Sequence, residues 1–168
     1  MKKDSTIKFV GLDVHSKTIS VAIADEGRKG EVRHYGTIEN TAEAIDKAIK
    51  SLATTGVELR FIYEAGPCGF ALYRYLSGNG FTCIVTSPAM IPRPKNVRIK
   101  NDRRDAMTLA RLYRAGELTG IYVPEPEDET IRDLARARDD VRVAERKAKQ
   151  RLNSFLLRHN LIYPGKTK

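Results

Sequence analysis

Residues 100–106 read Lys100-Asn101-Asp102-Arg103-Arg104-Asp105-Ala106. They open an apolar-periodic run in which Ala106, Leu109, Ala110, Leu112 and Tyr113 recur at steps of three and four, the spacing of an amphipathic helix. Asp102 and Asp105 share a face of that helix. Both fall in its first turn, where the helix dipole favours negative charge. Taken alone, a D-x-x-D at a helix start is satisfied by capping, with Asp102 as N-cap and Asp105 as a first-turn acid. The surroundings point further. The two acids lie in a basic stretch, and two other carboxylates, Asp13 and Glu64, end apolar strand-like runs. Four such acids suffice to hold two divalent cations.

Working outward from that helix, Ile7 to Val14 reads as a strand, rich in β-forming residues. Gly11 inside it suggests close approach by another backbone or a tight packing point. Asp13 interrupts its apolar run, which is costly in a central strand unless the charge is paired or meets a cation. The alternative for Asp13 is a strand-end surface acid. His15, Ser16 and Lys17 then turn the chain, and His15 reads as a polar turn residue with no assigned role. Thr18 to Ala24 is a second strand, and Glu31 to Ile38 a third after the Asp25-Glu26-Gly27-Arg28-Lys29-Gly30 loop. Two short connections predict an antiparallel meander.

Asn40 or Thr41 is expected to cap a helix running to Leu52. Val57 to Tyr63 is a fourth strand, leading into Glu64-Ala65-Gly66-Pro67. Pro67 suits the first position of a helix extending to about Leu76. Glu64 thus lies where strand gives way to helix, a usual place for ligand groups in α/β folds, although an exposed loop acid would look the same. Phe81 to Val85 is a fifth strand. From Thr86 to Lys100 the three prolines oppose regular structure. An extended basic loop is expected there, with Arg93, Lys95, Arg98 and Lys100 able to contact phosphates together with Arg103 and Arg104.

Gly116 stops the helix that begins at Asp102, and Glu117 to Glu129 forms an acidic connector. Thr130 is then expected to cap a long helix that ends at Pro164-Gly165. Along it Ile131, Leu134, Arg138, Val141, Glu145, Ala148, Leu152, Phe155, His159 and Ile162 form a heptad seam with polar breaks. Such a seam fits a helix that pairs with a partner, or one folded back on the domain. The expected domains are residues 1–123 and 124–168.

The chain has 168 residues and a formal net charge of +9. The charge is unevenly spread. Residues 89–114 hold eight Lys and Arg against two Asp, and residues 131–168 hold eleven against four acids. Residues 115–130 hold five acids and no Lys or Arg. The positive charge therefore flanks the Asp pair and follows the C-terminal segment, which suggests an anionic partner, most simply nucleic acid. Cys68 and Cys83 show no metal-ligand spacing and read as free thiols. No apolar run is long enough for a membrane span, and the N-terminus lacks the apolar core of a signal peptide. A cytoplasmic protein without membrane contact is expected.

Three motifs, Gly11-Leu12-Asp13-Val14-His15, Tyr63-Glu64-Ala65-Gly66-Pro67-Cys68-Gly69 and Asp102-Arg103-Arg104-Asp105-Ala106, together resemble the N-terminal domain of the DEDD insertion-sequence transposases, relatives of the Piv invertases. Ala110-Arg111-Leu112, Ala115-Gly116-Glu117-Leu118-Thr119, Arg132-Asp133-Leu134 and Leu156-Leu157-Arg158-His159 resemble the same family, so the likeness covers nearly the whole chain. It implies an α/β fold of RNase H-like (RuvC-like) type. In that fold a mixed five-stranded sheet with flanking helices precedes a long C-terminal helix of coiled-coil type. It implies that Asp13, Glu64, Asp102 and Asp105 are catalytic and hold Mg²⁺, with Mn²⁺ as a substitute. It implies DNA as substrate, a structured guide RNA as partner and oligomerisation through the C-terminal helix. Asn101 departs from the Thr or Ser common in the family, but it can also cap a helix. In the family a second domain follows, carrying a serine assigned to attack on DNA. This chain ends before such a domain and is expected to be the N-terminal part of a longer transposase. The function implied is metal-dependent strand cleavage and exchange in transposition. The alternatives are a nucleic-acid binding module without activity of its own and a stand-alone RuvC-like junction resolvase.

Overall fold

Alternation of apolar side chains, confined to short runs, makes strands of the first half of the chain. In the computed structural model, which describes residues 6–92 and 101–165, these runs pair into one sheet. Its strands are β1 (Thr6–Val14), β2 (Thr18–Asp25), β3 (Val32–Glu39), β4 (Val57–Glu64) and β5 (Thr82–Thr86). The order across the sheet is β3-β2-β1-β4-β5. The first three strands pair antiparallel, as the short connections dictate, whereas β4 and β5 run parallel to β1. This mixed order with β1 at the centre is that of the RNase H-like fold expected from the resemblance. The basic residues Arg93, Lys95, Arg98 and Lys100 lie outside the described residues.

Helix α1 (Ala42–Leu52) starts at Thr41, whose hydroxyl accepts from the Ala44 amide at 3.3 Å. Helix α2 (Ala71–Gly78) begins four residues later than Pro67 suggested. The cause is Gly69, whose φ of +64° is incompatible with a continuing helix. The Gly69 amide instead closes a turn on the Gly66 carbonyl at 3.1 Å. Ile45, Ile49 and Leu52 of α1 and Leu72 and Leu76 of α2 form one core with Val10, Leu12, Val21, Phe61 and Tyr63 of the sheet.

Helix α3 (Asp102–Arg114) supplies another packing layer. Ala106 and Ala110 meet Ala22 and Ala24 of β2 in a cluster of small side chains, and Leu109 and Leu112 pack with Ile62 of β4. Alternation along the strands puts Ile62 and Tyr63 on opposite faces, so α3 lies across the sheet from α1 and α2. Gly11 explains the close fit. A Cβ at that position would come within 2.3 Å of the Ala106 carbonyl oxygen and 2.5 Å of the Ala110 nitrogen. At its far end α3 is tied down by Arg114, whose guanidinium donates to the carbonyls of Asp25 and Gly30 at 3.1 and 2.6 Å.

The chain divides into two compact units, Met1–Val123 and Pro124–Lys168. The second holds α4 (Pro126–Arg158), a helix of 33 residues. It starts at Pro126 rather than after Thr130. Proline needs no hydrogen bond at the first helical position, and Glu127, Asp128 and Glu129 complement the helix dipole. The Thr130 hydroxyl, inside the helix, donates to the Pro126 carbonyl at 2.9 Å. The helix ends at Arg158, short of Pro164. Asn160 adopts a φ of +54°, and the amides of Leu161 and Asn160 return to the carbonyls of Leu156 and Leu157 at 3.0 and 3.2 Å. These bonds form a Schellman cap. Ile162 of the expected seam therefore falls beyond the helix, while Ile131, Leu134, Val141, Leu152 and Phe155 present an exposed apolar set. Among the described residues no helix is long and apolar enough to cross a membrane, and both cysteines are free.

The Gly11 contact has a measurable consequence. Gly11→Ala forces backbone against backbone and is expected to destabilise unit 1 by about 3 kcal/mol, lowering its melting temperature by roughly 10–15 °C. Urea and thermal unfolding followed by circular dichroism measure this, and unchanged stability would show that α3 can move off β1 at no cost.

Candidate metal centre

Side chains at the ends of β1, β4 and β5 decide what the sheet can bind. Asp13 is the penultimate residue of β1, and alternation puts it on the same face as Gly11, beneath α3. Its side chain is only 16% exposed. His15 follows one residue past the strand, in a turn held from two sides. Its amide donates to the Thr18 carbonyl at 2.8 Å, and the Asn40 side-chain amide donates to its carbonyl at 2.9 Å.

Asp102 arrives from the far end of the sequence at the first position of α3. Asn101, not Asp102, is the N-cap. Its side-chain oxygen accepts from the Arg103 amide at 3.0 Å, and its carbonyl accepts from the amides of Arg104 and Asp105 at 2.8 and 3.0 Å. Because Asn101 does the capping, the Asp102 carboxylate is not used as the cap.

Asp13, His15 and Asp102 each offer one ligand atom, and these atoms lie within 4.8 Å of one another. His15 Nε2 is 3.3 Å from Asp13 Oδ2 and 3.4 Å from Asp102 Oδ2. The imidazole nitrogen is buried yet makes no hydrogen bond to either oxygen. Three donor atoms thus converge on one region. Two carboxylates and an imidazole are a set that divalent cations accept, the oxygens suiting hard ions and the nitrogen transition metals. By this test the residues fit a divalent metal.

Glu64 and Asp105 flank the centre and are not part of this three-residue group. Glu64 ends β4, one step beyond the Leu12–Tyr63 pair and therefore beside Asp13 in the sheet. It shares the α3 face with Ile62. Asp105 lies one turn into α3, on the Asp102 side of the helix. Arg103 and Arg104 are exposed in the same first turn.

Strand register extends the site beyond the carboxylates. Thr37 pairs with Ser20, Ser20 with Asp13, and Glu64 with Thr86, so a polar row crosses all five strands at one level of the α3 face. Thr86 is fully buried, and its Oγ1 has no hydrogen-bond partner among the described residues. Sequence reasoning passed over His15, Ser20 and Thr86. The spacing Asp13-Val14-His15 was the available signal for His15, because residues two apart at a strand end share a face. Nothing local marks Ser20 or Thr86, whose placement depends on register.

A family model described as a transposase, of the DEDD type named for IS110, matches residues 10–161. The "Putative transposase y4qE" of Sinorhizobium fredii (strain NBRC 101917 / NGR234) is 46% identical over 158 residues, covering 94% of this chain and 40% of that protein. The "Transposase for insertion sequence element IS1533" of Leptospira borgpetersenii is 41% identical over 162 residues, covering 95% of this chain and 46% of that protein. The chain thus spans less than half the length of these curated relatives. Among solved structures, one titled "T. thermophilus RuvC in complex with Holliday junction substrate" is similar to this chain at a TM-score of 0.41 and 10% identity, covering 69% of this chain and 99% of that one.

The cap that aims Asp102 can be tested by itself. Asn101→Ala is expected to cost about 1 kcal/mol and Asn101→Ser close to nothing. Urea unfolding of the two variants measures the difference, and equal stabilities would remove Asn101 as the helix-starting residue.

Proposed function

This chain belongs to the IS110-type DEDD transposase family, and on that premise we propose that unit 1 is the catalytic domain for metal-dependent DNA strand cleavage and exchange in insertion-sequence transposition. The observation that supports it most is the convergence of Asp13 and His15, at the end of β1, with Asp102, which is distant from them in sequence, within 4.8 Å. The family and this donor set together imply a divalent metal. We take it to be Mg²⁺, with Mn²⁺ as a substitute because the imidazole adds a nitrogen donor.

In this reading Asp13 and Asp102 hold the ion, with Glu64 and Asp105 completing the acidic set and His15 beside them. A bound divalent ion would polarise a phosphodiester oxygen and make water or a hydroxyl a better nucleophile. The remaining work falls to the chain itself. Asp13 is fixed by the central strand and Asp102 by a packed helix, so the acids are preorganised rather than gathered at the moment of reaction. Arg103 and Arg104 border them and neutralise backbone phosphates, as Arg93, Lys95, Arg98 and Lys100 would from the preceding segment.

DNA is the substrate that this charge distribution and family membership favour. A structured guide RNA is a second nucleic-acid partner on the same grounds. The exposed apolar set of α4 supports self-association through that helix. Strand exchange in this reading belongs to the longer transposase, with unit 1 supplying the acidic centre.

Mn²⁺ binding followed by electron paramagnetic resonance tests the centre without requiring activity. The 168-residue chain should bind Mn²⁺, and Asp13→Asn should weaken binding about tenfold or more while leaving the melting temperature unchanged or higher. Relief of carboxylate repulsion accounts for the direction of the thermal effect. In a full-length transposase carrying this domain, Asp13→Asn should abolish transposition. A variant that still transposes would remove Asp13 from the catalytic set.

A further inference from the structure

His34 lies in β3, on the sheet edge and away from the carboxylates in sequence, yet the fold turns it toward the same face. The β2–β3 ladder is regular through Ser20–Thr37 and Val21–Gly36, then shifts so that Ala22 pairs with His34. Tyr35 is the extra residue. In an unbroken ladder Tyr35 would oppose Ala22, and His34 would point to the α1 and α2 side. With the bulge, His34 shares the face of Ala22, which packs under α3. A bulge that re-aims one side chain beside a functional centre is a recurring use of this irregularity.

The redirected imidazole meets Ser20. Its Nε2 lies 3.0 Å from Ser20 Oγ, and Ser20 is a buried polar residue whose strand partner is Asp13. When the serine hydroxyl donates to Nε2, the ring proton sits on Nδ1 and that N–H can donate elsewhere. Arg103, in the first turn of α3, adds a cationic group within electrostatic reach. Partial burial and then the Arg103 charge hold the His34 imidazole below its usual pKa. Two donor groups that disfavour each other's charge are accommodated together when an anion joins them.

We propose that His34, steadied by Ser20 and accompanied by Arg103, forms a subsite for a DNA backbone phosphate next to the scissile position. The inference rests on the reading of unit 1 as a DNA-cleaving domain. It places one strand across the sheet, with its reacting phosphodiester at Asp13 and Asp102 and a neighbouring phosphate at His34 and Arg103. Imidazole and guanidinium are both phosphate donors, and the guanidinium can engage two phosphate oxygens at once.

Fluorescence anisotropy of a labelled DNA duplex, measured over a range of salt concentrations with the 168-residue chain, tests the subsite. His34→Ala should weaken binding about fivefold to tenfold, the scale of one lost hydrogen bond to a charged group. His34→Lys should restore most of the affinity, because a cation can replace the phosphate contact but not a structural bond to Ser20. Arg103→Ala should lower the salt dependence by about one counterion. Ser20→Ala keeps the test open if His34→Ala fails to fold. It leaves the imidazole unsteadied and should produce a smaller loss. Wild-type affinity in both His34→Ala and Ser20→Ala, or a loss that His34→Lys does not repair, overturns the subsite. A wild-type chain that binds no DNA would instead overturn the functional reading on which it rests. RNA of the same sequence serves as the comparison, and an effect of His34→Ala confined to RNA also overturns the proposal.

Discussion

Helix α3 rests its backbone where a side chain on Gly11 would otherwise stand. The Ala106 carbonyl and Ala110 amide lie so close to β1 that no larger residue fits between them. Small residues on the neighbouring strand, Ala22 and Ala24, extend the same close approach. Everything at the acidic centre follows from it. With α3 seated against β1, its first residue, Asp102, comes level with the end of the strand that carries Asp13. A bulkier interface would push helix and sheet apart and carry Asp102 away from Asp13.

Bringing those carboxylates together has an electrostatic cost that the surroundings offset in part. The first turn of α3 directs the positive end of its dipole toward Asp102 and Asp105. Arg103 and Arg104 contribute in the same direction, screened by solvent because they are exposed. His15 stands between Asp13 and Asp102, close enough to each to share a cation with them. The centre is thus built from one rigid strand, one rigid helix and one turn that is pinned from both sides. Such a construction suits chemistry in which ligand positions must not drift.

The polar row across the sheet places this centre within a wider surface. Asp13 and Glu64 stand on adjacent central strands, with Ser20 and Thr37 on one side and Thr86 on the other. Toward the start of β1 the same face is apolar and covered by α3 through Ala106, Leu109 and Ala110. This face thus carries hydroxyls and carboxylates along one line and packed hydrocarbon beside it. The bulge at Val21/Ala22 turns His34 of the edge strand to the same face, within 3.0 Å of Ser20 in that line.

Local chemistry in the sequence was enough for much of this. Alternating apolar residues marked the five strands, the short loops required the meander, and Gly11 inside a strand signalled the close approach of another backbone. The four acids were legible because each stands at an element end or interrupts an apolar run. The errors fell at helix ends, where competing local signals are nearly equal in energy. Pro67 could have opened α2 but for the left-handed Gly69, Pro126 opened α4 ahead of Thr130, and Asn160 closed it ahead of Pro164. Asn101 took the cap that Asp102 could equally have supplied. Only the tertiary structure could bring His15 between two carboxylates, set Ser20 and Thr86 in one row and turn His34 to the same face. Those relations depend on strand register and on a one-residue bulge, and a shift of a single residue reverses which side of the sheet a side chain occupies.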